Sequence, residues 1–510
     1  MKTPSPSSLG LAVAAAVVTV LAVRNVVIAL PFPYPIEYPE GITAHWTQQA
    51  AAGASLYPAV DPASPMHNPY PPLFYRIAAP LQNRFANPFL ASRLTALAGL
   101  LLCSGAVAWM LRRNGRRPQL LGVLLFALST ATLRYGTTAR VDLPALGLAL
   151  ASVATLSAAG VGWRAGVAGF LAGGALLAKP TFVAAAAAGL LVSRRQGWRA
   201  LTAWAGGLAL AFAAGLWLFG SSPADVARHL WTLNRLPWDP VRLVTLAGQV
   251  LARHPILAAG LVLFLVQTSR TRDAFWWYAV FAFSGVAFAG KIGADENYFL
   301  ELVAVASVSA VRWAGRRQSA SPTPPDAVVT ARGADPLAGE PREPRPCPAI
   351  PLLAAIQILM YLPVEPAPVF TRTYEQELAG SSSRYTPSAS EAEAGAGVVA
   401  ELRHAGSVLS QSPGLMIAAG RPALWDAYQF TQRANAGRWD DAPLARRVEE
   451  GTFDLILMLS DPAAATNYFP ARVQAAVAAR YVLHRDLGPW RLLKPRLTPE
   501  AEHSASLPSR

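Results

Sequence analysis

Long apolar runs separated by short polar connectors dominate the chain up to about residue 312, after which polar residues take over. The runs fall near 9–30, 91–111, 119–133, 141–160, 163–178, 180–193, 199–219, 252–268, 274–290 and 297–312, with one more at 350–364. A helix needs about 20 apolar residues to cross a bilayer core. The pattern therefore predicts a polytopic α-helical membrane protein with about eleven transmembrane segments. Only Lys179 and Pro180 separate the runs 163–178 and 180–193. A tight hairpin and one broken helix both fit that spacing.

The regions between and after the runs read differently. Residues 31–90 are long for a connector. They hold "EGITAHWTQQAAAGASLY", which predicts an amphipathic helix, then "HNPYPPLFYRIAAPL", a Pro-rich turn before a second apolar helix. The loop 220–250 carries "PADVARHLWTLNRL" with Trp231 and Trp238 nearby. Amphipathic faces and Trp favour the membrane interface, and both regions are expected to lie there. Residues 314–349 are rich in Pro, Ala, Ser and Arg without periodicity, which predicts a disordered linker between the module 1–313 and the last span. In 365–510 a helix-like piece, "SEAEAGAGVVAELRHAG", precedes the strand-like runs "GLMIAAG", "FDLILMLS", "RYVLHRD" and "WRLLKP". That alternation predicts a small C-terminal α/β domain.

Composition sharpens the class. Hydrophobic residues make up 53% and charged residues 15%, with a mean hydropathy of +0.30. A soluble chain carries about 25% charged residues. The net charge of +14 does not point to nucleic acid, because the arginines flank apolar runs. Arg112, Arg113, Arg116, Arg117, Arg164, Arg194, Arg195, Arg199, Arg270, Arg272, Arg312, Arg316 and Arg317 fall on one side if the spans alternate. The positive-inside rule makes that side the cytoplasm. The N-terminus is then cytoplasmic, the C-terminal domain extracytoplasmic, and the location the plasma (inner) membrane. The first run lacks a small-residue cleavage site and reads as a retained anchor. Cys103 and Cys347 form neither a disulfide framework nor a metal motif.

With this topology a set of costly polar residues converges on the outer face. Glu37 and Glu40 lie in "EYPEG", Arg140 and Asp142 in "TTARVDLPAL", Lys179 in "LLAKPTF", and Lys291, Asp295, Glu296, Asn297 and Tyr298 in "GKIGADENYFLEL". Ionisable groups at membrane depth usually line a cavity and carry function. The bland alternatives are a mutual pair for Arg140 and Asp142, a snorkelling Lys179, and helix N-terminal acids for Glu40, Asp295 and Glu296. A carboxylate can act as general base on an acceptor. Lys and Arg can neutralise a phosphate leaving group without a metal. Together these point to glycosyl transfer from a polyprenyl-phosphate sugar. A polytopic transporter or lipid flippase, and a non-catalytic envelope-assembly protein, are the competing readings. A transporter would place its acids at the midplane and show an inverted repeat, and neither pattern is seen here.

The segments "YPEG" and "HNPYPPLFY" resemble the first outer loop of the GT-C glycosyltransferases, which include the protein O-mannosyltransferases and the aminoarabinose transferase of lipid A. "ARVDLPALGLALAS", "GALLAKPTF" and "GADENYFLE" are similar to later motifs of that superfamily, so the resemblance covers about residues 10–312. It implies Glu40 as the catalytic acid, with Glu37 as understudy. It implies Lys179, Arg140, Asp142, Lys291, Asn297 and Tyr298 at the donor and its phosphate. His67, Asn68 and Tyr70, with Asp295 and Glu296, would line the pocket or the acceptor side; Tyr70 stands where some members have Lys or an acid. The implied reaction inverts the anomeric centre and needs no cofactor, although some members use a divalent metal. The partners implied are a polyprenyl-phosphate-linked sugar and a lipid, glycan or protein acceptor. The Ala-, Arg- and Pro-rich composition suggests a GC-rich bacterial genome.

Overall fold

The computed structural model describes residues 5–61, 65–157, 162–319, 349–362, 386–459 and 468–496. Each of the eleven predicted runs contains helix among the described residues. Among the described residues four helices are long and apolar enough to cross a membrane: Pro6–Ala29, Leu90–Met110, Trp198–Phe219 and Glu296–Arg316. The count rises to six if each of two bent pairs is one span.

α1 (Pro6–Ala29) starts where Ser5 Oγ accepts the Ser8 N–H and Pro6 sets the first turn. It turns Ala14, Val18 and Ala22 inward, packs on the helix Ala349–Leu359, and leaves Val13, Val17 and Val20 outside. α4 (Leu90–Met110) packs on α7 (Asp142–Leu156). The run at 119–133 is not straight: α5 (Arg116–Ala127) and α6 (Thr130–Thr137) meet at 70°. Ser129 makes the break, because its Oγ caps α6 at Thr132 N. A second bend of 95° joins α12 (Pro240–Arg253) to α13 (Pro255–Gln267), where Pro255 cannot donate a helical hydrogen bond. The expected segment "PADVARHLWTLNRL" forms the helical turns Pro223–Ala227 and Arg228–Leu233, and α12 follows it, exposing Val241, Val244 and Leu251.

The question at Lys179 is resolved as two helices. α8 (Trp163–Ala178) ends there, Lys179 is extended at φ −153° and ψ 114°, and α9 begins at Ala184 (Ala184–Gln196). Pro180 disfavours helical backbone at the residue before it, which is why the break falls at the lysine. α10 (Trp198–Phe219) packs closely on α8: a Cβ on Gly169 would lie 2.0 Å from the Trp204 carbonyl oxygen. α14 (Ala274–Val286) leads through a loop to α15 (Leu300–Ser319). α15 therefore runs into the start of the predicted linker; residues 320–348 of that linker, Cys347 among them, lie outside the described residues.

In the C-terminal unit the helix Ala389–His404 is capped by a Ser388–Glu391 capping box. Its sheet runs in the order β1 (Val408–Ser410), β2 (Leu455–Leu459), β4 (Trp490–Pro495), β3 (Tyr481–Leu487). β1 and β2 are parallel and the other pairs antiparallel, with a bulge between Leu483 and Arg485. Three of the four predicted strand runs are strands or contain one. The fourth, "GLMIAAG", is instead the helix Pro413–Ala418, started by Pro413 and by Ser412 Oγ accepting from Leu415 N. β1 lies just before it.

The first loop packs against other parts of the protein. α2 (Tyr38–Ala51) buries Ile42, Ala44, Trp46 and Ala50, packing on α3 (Leu73–Gln82) and on the helix Pro413–Ala418. Gly41 permits that crossing, since a Cβ there would lie 2.3 Å from the Gly414 nitrogen.

Candidate functional site

The irregular backbone at Lys179, the first turn of α7 and the loop ahead of α15 meet in one place. Lys179 and Asp142 are 1% and 0% exposed and form an ion pair there. Asn297 Nδ2 donates to the same Asp142 oxygen at 2.9 Å. The Lys179 ammonium lies 4.5 Å from the Tyr298 ring centroid, 5.8 Å from Phe182 and 6.0 Å from Tyr70. Asp142 Oδ2 and Asn297 Oδ1 are buried and have no hydrogen-bond donor. Buried polar atoms are normally satisfied, so these two acceptors mark a place for a ligand's donors.

A second cluster adjoins the first. Glu37 takes Arg140 Nε at 2.6 Å and Arg134 Nη2 at 3.1 Å. Arg134 also pairs with Asp295 at 2.9 Å, and the Tyr135 hydroxyl donates to Asp295 at 2.7 Å. Arg140 is two residues from Asp142, so the predicted residues Glu37, Arg140, Asp142, Lys179, Asp295, Asn297 and Tyr298 form a continuous charged belt. Lys291 joins it from the side by donating to Asn234 Oδ1 at 2.5 Å. Burial and the neighbouring Lys179 push the Lys291 ammonium down to about 8. Glu296 points elsewhere and pairs with Arg253.

Glu40, the expected catalytic acid, is differently placed. It is 0% exposed and bidentate to Arg93, with Nε to Oε1 and Nη2 to Oε2 both at 2.8 Å. Its oxygens also accept from Ile36 N at 2.6 Å and Ala139 N at 2.7 Å. Arg93 spends its remaining N–H groups on the carbonyls of Ala29, Leu30, Phe32 and Tyr34. Four donors fasten the Glu40 carboxylate within the loop. Glu37, the other carboxylate of "EYPEG", lies in the belt.

The "HNPY" element is split between two tasks. Tyr70 reaches the Lys179 cluster. His67 Nδ1 instead contacts Asp426 Oδ2 at 2.8 Å, and Tyr38 donates to Asp426 Oδ1 at 2.8 Å, tying the first loop to the C-terminal unit. Asn68 Oδ1 accepts from Tyr70 N at 3.2 Å, and Asn68 N donates to His229 Nδ1 at 2.9 Å. His229 Nε2 then donates to the Pro58 carbonyl at 2.8 Å. Both His229 nitrogens are used, and burial pushes it down to about 4, so it is a neutral brace. Among the described residues no group of three or more His, Cys, Asp or Glu could hold a metal ion.

Sequence reasoning missed Arg93, Arg134, Asn234 and Asp426. Arg93 and Arg134 carried a signal, a cation inside or beside an apolar run. Asp426 carried none, because its partner Tyr38 is 388 residues away.

No family model and no curated protein sequence matches this chain. Solved structures do. ArnT from Cupriavidus metallidurans bound to undecaprenyl phosphate matches with a TM-score of 0.60 and 14% identity, over 94% of this chain and 97% of that one. Its apo state matches with a TM-score of 0.59. The oligosaccharyltransferase of Archaeoglobus fulgidus in the apo form matches with a TM-score of 0.50 and 12% identity, over 93% of this chain and 73% of that one. The chain accordingly shares the fold of these solved structures.

Proposed function

We propose that this protein is an integral membrane glycosyltransferase that moves a sugar from a polyprenyl-phosphate donor to an acceptor outside the cytoplasm. The observation that carries the reading is the buried Lys179–Asp142–Asn297 cluster with two unpartnered acceptor atoms, set in a fold that in one relative holds undecaprenyl phosphate. Lys179 and Lys291 take the phosphate. Its negative charge compensates the ammonium groups of Lys179 and Lys291, which lower one another's hold on a proton. The free Asp142 and Asn297 oxygens accept sugar hydroxyls, and Tyr298 and Tyr70 flank the lysine.

The transfer is a single inverting displacement at the anomeric carbon. Glu37 takes the acceptor proton while Arg134 and Arg140 fix its carboxylate. The bond from the anomeric carbon to the phosphate oxygen breaks, and the lysines stabilise the departing lipid phosphate. Eleven crossings, a cytoplasmic N-terminus and an outward C-terminal unit complete the topology, in a bacterial inner membrane. The test is glycolipid analysis of a strain lacking the protein. A polyprenyl-phosphate monosaccharide should accumulate and disappear on complementation with the wild type but not with Lys179→Gln. A strain whose lipid-linked sugars are unchanged, with purified protein inert toward such donors, refutes the reading.

A further inference from the structure

The ends of α2 and α3 and the turn ahead of α4 enclose a cavity of about 340 Å³ that the charged belt does not use. Small-molecule sites run from roughly 300 to 1,000 Å³. Gln82 is 6% exposed and forms the most buried wall. Gln48, Phe85 and Pro88 are half-buried beside it, and Asn83 and Ala52 stand exposed at the rim. Gln82 Nε2 donates to the Pro88 carbonyl at 3.1 Å, which fixes the amide, and its Oε1 is buried with no donor. Leaving a buried acceptor unpaired is costly. Among the described residues the Gln48 and Asn83 carboxamides make no hydrogen bond, and the Phe85 ring makes no aromatic or cation contact.

The lining selects among occupants. Among the described residues no charged side chain lines the cavity, so a phosphate or an ammonium would enter without a counter-charge. An acyl chain would leave three carboxamides without partners. A peptide strand binds by pairing with an exposed sheet edge, and these walls are helix ends and a turn. A neutral sugar ring answers the lining. Its hydroxyls donate to Gln82 Oε1, they donate to and accept from the Gln48 and Asn83 amides, and its apolar C–H face covers Phe85. We propose that this cavity binds one neutral sugar ring of an extended glycan acceptor, a subsite that rests on the transferase reading above.

Its placement suits a distal part of such an acceptor. Gln48 lies eleven residues beyond Glu37, the N-cap of the same helix, and so about 16 Å along its axis. A ring held there is too far from Glu37 to be the one that reacts. The preceding residue, Thr47, is hydrogen-bonded through Oγ1 to Ser92 Oγ at 2.9 Å, so one anchored helix carries both places. An acceptor of several sugars keeps one ring in the cavity while another presents its hydroxyl to Glu37.

The test uses the full chain in nanodiscs free of sugar detergents, with saturation-transfer NMR. The probes are maltotriose, cellotriose, mannotriose and chitotriose, with N-acetyl-diglycine amide as a peptide control. At least one trisaccharide should receive saturation at its ring protons. Gln48→Met, which removes the carboxamide at similar size, should weaken that binding about fivefold. Phe85→Leu, which removes the aromatic face, should weaken it by a similar factor, about fivefold. Neither side chain holds another polar group, so both variants should melt near the wild type. Saturation of no trisaccharide, binding unchanged in either variant, or a peptide signal that the variants remove in place of the sugar signal overturns the assignment. The assay contains no lipid donor. A deletion strain that accumulates the lipid-linked sugar, with no trisaccharide bound, therefore refutes the subsite alone. Binding that responds to both variants, without accumulation or transfer, refutes the transferase reading alone.

Discussion

The Glu40–Arg93 and Asp142–Lys179 pairs are equally hidden from water, but they differ in how completely their hydrogen-bonding capacity is used. Every N–H of Arg93 has an acceptor, and both Glu40 oxygens have two donors. Asp142 keeps one oxygen without a donor, and so does its partner Asn297. Burying charge is expensive, and removing one member of a buried pair leaves the other uncompensated. A saturated pair repays that cost with fixed geometry: Arg93 gathers four carbonyls between Ala29 and Tyr34 and so sets the exit of α1. An unsaturated pair keeps capacity in reserve, which makes sense only if something else arrives. Burial alone therefore does not separate the two pairs; the unspent lone pairs do.

The largest expected effect breaks the unsaturated pair. Lys179→Gln should lower sugar transfer about 10²–10³-fold, the loss seen when one donor to a developing oxyanion is removed. Adding Asp142→Asn should recover thermal stability without recovering transfer, because it removes the uncompensated carboxylate but not the need for a cation. Melting curves and turnover with a labelled lipid donor check both. If the double variant regains activity, the pair is structural like Glu40–Arg93.

Next comes the contrast between the two glutamates of "EYPEG". Glu37→Gln should reduce turnover about 10²-fold or more, the usual contribution of a general base. Glu40→Gln should instead cost about 3–5 kcal/mol of stability, because Arg93 loses its buried counter-charge. The folded fraction of that variant should turn over within a few-fold of the wild type. The reverse outcome would return the base to Glu40.

How much of this was legible in the chain follows from locality. The helices were readable from apolar runs, and Lys179 was readable because a Lys-Pro dipeptide interrupts one. Asp142 and Asn297 were readable because each opens an apolar run with a polar residue. The hold of Arg93 on Glu40 was not. Nor was the close passage of Gly414 at Gly41, the glycine after it. That crossing, like the hold of Asp426 on Tyr38 and His67, links residues hundreds of positions apart and leaves no local pattern. The helix Pro413–Ala418 was misread because a short apolar run has no period of its own, and its Ser-Pro start was the better signal.

A smaller effect belongs to that crossing. Gly41→Ala should cost about 1–3 kcal/mol, the range for overpacking a close contact. The strain falls between α2 and the C-terminal unit, so the variant should melt earlier and expose the connection between them to protease. Turnover should fall less than in Glu37→Gln. If the variant is as stable as the wild type, the two backbones do not meet there.

The smallest effect is a pH dependence carried by Lys291. Burial and Lys179 hold its folded value near 8, below the ordinary 10.5. In the donor-free protein it is therefore a cation below about pH 8 and loses its proton as pH rises through that value. The unfolded chain keeps the proton up to its own higher value, so this group adds stability as pH climbs from about 8 toward 10.5. Donor binding should run the other way. A phosphate favours the charged lysine, so binding draws in a proton and the donor KM should rise between pH 7 and 9. Lys291→Arg, whose charge persists throughout, should flatten that rise. Lys291→Met should flatten it too, but at the weak-binding level. The three profiles separate a phosphate contact from a lysine that only packs against Asn234, for which the KM of all three proteins would follow the same curve.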